Sequence, residues 1–133
     1  MASILGLDDA TYSLVKKGID ASVQRGKAIA NNIANVNTKD YKKFNVVFEE
    51  NLNKESDKID LRTTRDKHIS LSNNYGDITV ERDESTSMNN DGNNVDIEVE
   101  KVNQAANSLK YQGLVQQANS KLSLTKYIIS GGN

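Results

Sequence analysis

The chain has 133 residues, enough for one domain, with 36% hydrophobic and 26% charged residues. A formal net charge of -1 gives no electrostatic reason to expect nucleic acid or an anionic membrane as partner. The absence of Cys excludes disulfides, thiolate nucleophiles and Cys-based metal sites, and the absence of Pro suits long unbroken helices.

The N-terminal "MASILGLDDA" is not a cleavable secretory signal. Its apolar run is short, no positive region precedes it, and Asp8 and Asp9 follow at once. No stretch has the apolar length needed to span a bilayer, so direct membrane insertion is not expected.

Tyr12, Val15, Ile19, Ser22, Gly26, Ile29, Ile33 and Val36 then recur at alternating gaps of three and four. Apolar or small residues at that spacing form a helical seam. With Asp8 and Asp9 favouring a helix start, the pattern predicts a helix from Asp8 to Val36, about 43 Å long. It closes on "ANNIANVNT", where Asn31, Asn32, Asn35 and Asn37 stand among apolar residues. Buried amides demand partners, so they are expected to hydrogen-bond across helices or to backbone at the helix end.

The middle of the chain changes character. "FNVVFEENLNKE" reads as a short helix or as a strand running into one. "HISLSNNYGDITVER" holds two alternating runs around Asn73, Asn74 and Gly76, which reads as a β-hairpin or a loose loop. "SMNNDGNNVD" is a turn, with Asn93 or Asn94 expected to cap the next helix.

That helix carries Val99, Val102, Ala106, Leu109 and Gly113 at gaps of three and four. A phase slip follows, and Tyr111, Val115, Ala118, Leu122, Thr125 and Ile129 carry the stripe onward. Gly131 and Gly132 end it. The expected fold is mainly α: two long terminal helices in an antiparallel coiled-coil hairpin, with a small irregular or β middle segment. The divisions are 1–41, 42–94 and 95–133. Two helices of this length exceed a 133-residue globule, whose radius of gyration is about 14 Å. Their apolar faces are too wide for one partner, which implies helices from neighbouring copies. A shorter bundle, broken at Gly18 or Gly26, is the alternative.

Reactive constellations do not survive inspection. His68, the single His, has Asp66 and Ser70 two residues away on either side. Catalytic triads come from separated elements held by a rigid scaffold, so this trio reads as an ordinary surface group. "RGKA" from Arg25 lacks the first Gly and the Ser or Thr of a phosphate loop. "SMNNDGNNVDIE" places Gly92 and Glu98 as in a calcium loop, but Ser87 replaces the leading Asp. No catalytic residue, metal site or cofactor is expected.

"ANNIANVNTKDYKK" resembles the signature of the flagellar axial proteins, the rod, hook and hook-associated subunits. Ala30, Asn31, Asn32, Ile33, Ala34, Asn35, Thr38 and Tyr41 match it, while Asp40 replaces the usual Gly and Lys39 stands where Pro is frequent. "DGNNVDIEVE" and "SLKYQGLVQQANSKLSLTKYIISGG" narrow the resemblance to the short proximal-rod subunits. It covers Leu5 to Phe48 and Asp91 to Gly131, with Thr64, His68 and Ile69 matched in between.

The resemblance implies a structural, non-enzymatic subunit of the basal-body rod, made in the cytoplasm and exported by the flagellar type III apparatus without cleavage. Its terminal helices would order on joining a torque-transmitting tube. Partners would be other copies of itself, neighbouring rod subunits, and membrane-ring and export-gate proteins. Val15, Ile19, Ile29, Ile33 and Val36, with Val102, Leu109, Val115, Leu122 and Ile129, are the expected helix–helix interface. Phe48 and Leu52, in "FEENL", are the candidate export-gate element. Rival functions are another rod or hook-junction subunit and a cytoplasmic coiled-coil adaptor or export chaperone.

Overall fold

The structure, a computed structural model, describes residues 2–60, 76–87 and 89–131. Element order is α1 (Ala2–Ala34), β1 (Phe44–Val47), α2 (Glu49–Asp60), β2 (Thr79–Arg82) and α3 (Ile97–Ile129). The terminal helices have 33 residues each, so each spans about 50 Å.

α1 and α3 lie antiparallel. Asn32 meets Glu100, Ser22 meets Asn107, and Gly18 meets Leu114, so one number falls as the other rises. Leu114 Cδ1 lies 3.3 Å from where a Cβ on Gly18 would stand, so the missing side chain lets α3 close in. The α3 residues in this contact, Glu100, Asn107 and Leu114, are seven apart, and Ala118 is buried beyond them. On α1 the buried positions are Ala21, Ser22, Ala28, Ile29 and Asn32. The seam is thus made largely of small and polar side chains, and it brings the two backbones close.

β1 and β2 form a two-stranded antiparallel sheet with Phe44 opposite Arg82 and Val47 opposite Thr79. Val46 and Phe48 turn inward, as period-2 alternation requires. "FNVVFEENLNKE" is therefore a strand running into a helix. Glu49 and Glu50 in the first turn of α2 favour its start. Gly76 is buried against that turn, where a Cβ would stand 2.5 Å from Leu52 N, so only glycine permits the approach.

Local expectations change in three places. α1 begins at Ala2, because the residues before Asp8 include good helix formers and nothing stops the helix there. It ends at Ala34, two residues before Val36, because the following turn is held by another segment. The N-cap of α3 is Asp96, whose Oδ1 accepts from Glu98 N at 2.9 Å and Val99 N at 3.2 Å, rather than Asn93 or Asn94. β2 pairs with β1 across the chain; Asn73, Asn74, and His68 with its neighbours, lie outside the described residues. Gly131, at φ 72, closes α3 by donating to Ile128 O.

Candidate functional site

The amide-rich end of α1 meets the start of α3 and the first strand in one clasp. Asn32 is 1% exposed. Its Nδ2 donates to Phe44 O at 2.9 Å and Glu100 Oε2 at 3.1 Å, while its Oδ1 accepts from Phe44 N at 2.9 Å and Tyr41 OH at 3.2 Å. Both donors and both acceptor positions of the amide are filled. Burial, followed by the Glu100 carboxylate, raises the Tyr41 hydroxyl above its ordinary pKa. The Tyr41 ring meets Phe44 edge-on at 6.2 Å.

Asn93 is completely buried. Its Nδ2 reaches three carbonyls beyond the end of α1: Asn35 O and Val36 O at 2.9 Å, and Thr38 O at 2.8 Å. Its Oδ1 accepts from Val95 N at 2.8 Å. An amide from more than fifty residues away thus braces the turn after α1, adding to the Thr38 N–Asn35 O and Tyr41 N–Thr38 O bonds already there. Asn94 ties the neighbouring strands: its Oδ1 accepts from Lys43 N, and its Nδ2 donates to Asp83 O. Asp83 is itself held below the ordinary carboxylate range, first by hydrogen bonds from Ser85, then by Lys43.

Asp40 sits at φ 58, in the left-handed region, with its N–H donated to Asp91 O at 2.9 Å. Its carboxylate rests against Gly92, at φ 77, where any Cβ would collide with Asp40 Oδ1. Asp40, standing where the resemblance implies glycine, thus keeps a glycine-like conformation. A second glycine makes room for its side chain.

A carboxylate ties the three helices together. Glu49 at the start of α2 accepts from Arg25 of α1 at 2.7 Å and pairs with Lys110 of α3. Burial alone would raise the Glu49 pKa. Hydrogen bonds from Lys110, its own backbone N–H and Arg25 prevail and lower it to about 2. Arg25 also donates to Val46 O at 3.4 Å. With Asn32 on Phe44, this covers the outer edge of β1 by side chains of α1.

The matched residues divide sharply. Asn32 is buried; Ile33, Asn35 and Tyr41 are half-buried; Ala30, Asn31, Ala34 and Thr38 are exposed. Asn35 Nδ2 donates to Asn31 O and its Oδ1 accepts from Thr38 Oγ1, bracing the turn. Of the expected interface, Ile29 is buried, and Val15, Ile19, Ile33, Val36 and Val115 are half-buried. Val102, Leu109, Leu122 and Ile129 are exposed, at 69%, 71%, 50% and 81%. Phe48 is 6% exposed and Leu52 is half-buried.

Sequence reasoning missed Glu100, Asn107, the Arg25–Glu49–Lys110 tie and the true role of Asn93. The seven-residue spacing of Glu100, Asn107 and Leu114 was the available signal. It was masked by the more apolar stripe one residue earlier.

The groove between α1, β1 and α3, about 280 Å³, carries Glu100 as its only carboxylate, already bonded by Asn32. It offers no acid–base pair or nucleophile with its base. No group of side chains among the described residues could hold a metal ion. No described helix is long and apolar enough to cross a membrane.

No protein-family model matches the chain. The flagellar basal body rod protein FlgB of Bacillus subtilis (strain 168) is 30% identical over 128 residues, covering 96% of this chain and 99% of that protein. The chain belongs to the FlgB family. FlgB of Aeromonas hydrophila is 28% identical over 117 residues, covering 86% of the chain and 89% of that relative. Both alignments are long enough to run from one terminal helix into the other. As a member of the FlgB family the chain is a component of the flagellar basal-body rod.

Proposed function

We propose that the chain is a structural subunit of the proximal rod, exported by the flagellar type III apparatus and built into the shaft that transmits torque. The observation that carries this is the family relationship over nearly the whole chain, both terminal helices included. The clasp supports it physically. Fully bonded amides fix the stagger of α1 against α3, which a load-bearing subunit needs. Exposed apolar residues along α3 leave surface for neighbours: other copies and adjoining rod and ring proteins.

Export adds a requirement. Phe48, with Leu52, is the proposed docking element for the export gate. In the folded chain Phe48 is buried, so it could be read only before folding. Replacing both with Ala should make the chain accumulate in the cytoplasm; normal export of that variant would remove the element from the account.

The decisive test is to purify hook–basal bodies from the source bacterium and from a strain lacking this chain. The chain should co-purify with the rod, and its loss should abolish assembly beyond the membrane ring. Its presence only in cytoplasmic fractions would favour an adaptor or export chaperone. Its recovery only beyond the proximal rod would favour a hook-junction subunit.

A further inference from the structure

Gly92 is the only one of the chain's eight glycines that follows an Asp or an Asn. At such a step no side chain shields the peptide nitrogen, so it can attack the carboxyl carbon of the residue before it. The fold nevertheless uses both residues. Gly92 stands at φ 77, and any Cβ on it would strike Asp40 Oδ1. Asp91 supplies two acceptors: its Oδ1 takes Asn93 N at 3.1 Å, and its carbonyl takes Asp40 N at 2.9 Å. The clasp is thus built around a peptide step that is open to chemical attack from its own main chain.

We propose that Asp91 is a site of spontaneous isomerisation to isoaspartate, and that the closed clasp is what holds the reaction back. Gly92 N gives up its proton and bonds to Asp91 Cγ, while the Cγ–OH bond of the carboxyl group breaks and water leaves. The product is a five-membered succinimide. Water then adds at the Asp91 main-chain carbonyl carbon and breaks its bond to Gly92 N, so the chain now runs through Asp91 Cβ and Cγ. The water lost is regained, and no oxidant or enzyme is needed. The fold opposes the first step at both reacting groups. Gly92 N–H is donated to Asn89 O at 3.2 Å, and the Asp91 carboxylate is held on Asn93 N. The bond from Asp40 N to Asp91 O keeps the main chain between them from rotating.

The reaction requires local opening, so its rate falls by the opening equilibrium. An isomerised chain carries an extra main-chain atom before Gly92 and a carboxylate where Asp40 N had its carbonyl. Asn93 would be displaced from the carbonyls of Asn35, Val36 and Thr38, and the clasp would not close. Asp91 therefore records how long a chain has stayed open. This goes beyond the proposed rod function and does not require it.

The full chain would be aged at neutral pH in two states: held helical by a stabilising osmolyte, as checked by circular dichroism, and unfolded in urea. A peptide from Asn89 to Val95, aged in each solvent, gives the unprotected rate. Isoaspartate is read by isoaspartyl-methyltransferase labelling and placed at residue 91 by mass spectrometry. The folded chain should isomerise at least tenfold more slowly than the peptide, and the chain in urea should match it. Equal rates for folded chain and peptide would overturn the protection, and a urea sample without isoaspartate at residue 91 would overturn the site. Asn93→Ala, which loosens the clasp, should move the folded rate toward that of the peptide; an unchanged rate would take the protection away from the clasp and overturn it too. None of these measurements uses rods, so failure of the rod reading leaves the test standing.

Discussion

The Asn32 side chain pairs with both backbone groups of Phe44, its Nδ2 on Phe44 O and its Oδ1 on Phe44 N, each at 2.9 Å. One amide thus does for β1 what a third strand would do. It also binds Glu100, so α1, β1 and α3 share a single residue.

Asn32→Ala should therefore destabilise the chain by about 3 kcal/mol, because it strands buried backbone groups and a buried carboxylate together. Asn32→Asp should cost at least as much, since it loses the donor and faces Glu100 with a second acid. Urea unfolding of both variants measures this. A loss below about 1 kcal/mol would mean the network is replaced by water.

At Asn93 the contrast between two substitutions is diagnostic. Asn93→Ala removes the donor shared by the carbonyls of Asn35, Val36 and Thr38 and should cost about 2 kcal/mol. Asn93→Asp would aim an anion at those carbonyls and should cost more. Hydrogen exchange should accelerate at Asn35 and Thr38 in both variants, ahead of the middle of α1. If α1 loosened uniformly instead, the cap would not be local.

Asp40→Gly should stabilise the fold by about 0.5 kcal/mol: left-handed strain is relieved, partly offset by the added freedom of glycine in the unfolded chain. Gly92→Ala should destabilise it, and less so beside Asp40→Gly, because the Asp40 carboxylate is what the new Cβ would strike. A double-mutant cycle by thermal unfolding reads the coupling, and strict additivity would argue against the contact.

Glu49 predicts a pH dependence. Its folded pKa of about 2 lies below the ordinary 4.5, so its contribution is fully present above pH 4.5 and is lost as pH falls toward 2. The side chain is 45% exposed, so solvent screening limits the contribution to about 1 kcal/mol. The wild type minus Glu49→Gln stability difference should be flat from pH 5 to 7 and shrink below. A difference that grew on acidification would reverse the assignment.

The long helices were legible because three-and-four spacing over many turns is the strongest signal a chain carries, whereas the stretch of β1 and α2 reads equally as a short helix or as a strand running into one, and only the pairing with β2 decides it. The pairing face of α3 was not legible. Its inner seam uses Glu100 and Asn107 while its outer seam uses Val102 and Leu109, so hydrophobicity pointed to the other side. Asn93 looked like an ordinary cap because adjacent residues offer the same chemistry. Only the fold shows that Asp96 caps α3, leaving Asn93 for α1. The amides of the signature are expected to bond across helices or to backbone at the helix end, and Asn32 and Asn35 do so within the chain.

The clasp grips one end of two rods that are each about 50 Å long. Seen as a lever, it magnifies whatever happens there: a tilt of about 5° at the Asn32–Glu100 fulcrum moves the far tips by about 4 Å, close to one side-chain contact. A subunit with a loosened clasp would keep its helices and still miss its neighbours at the opposite end.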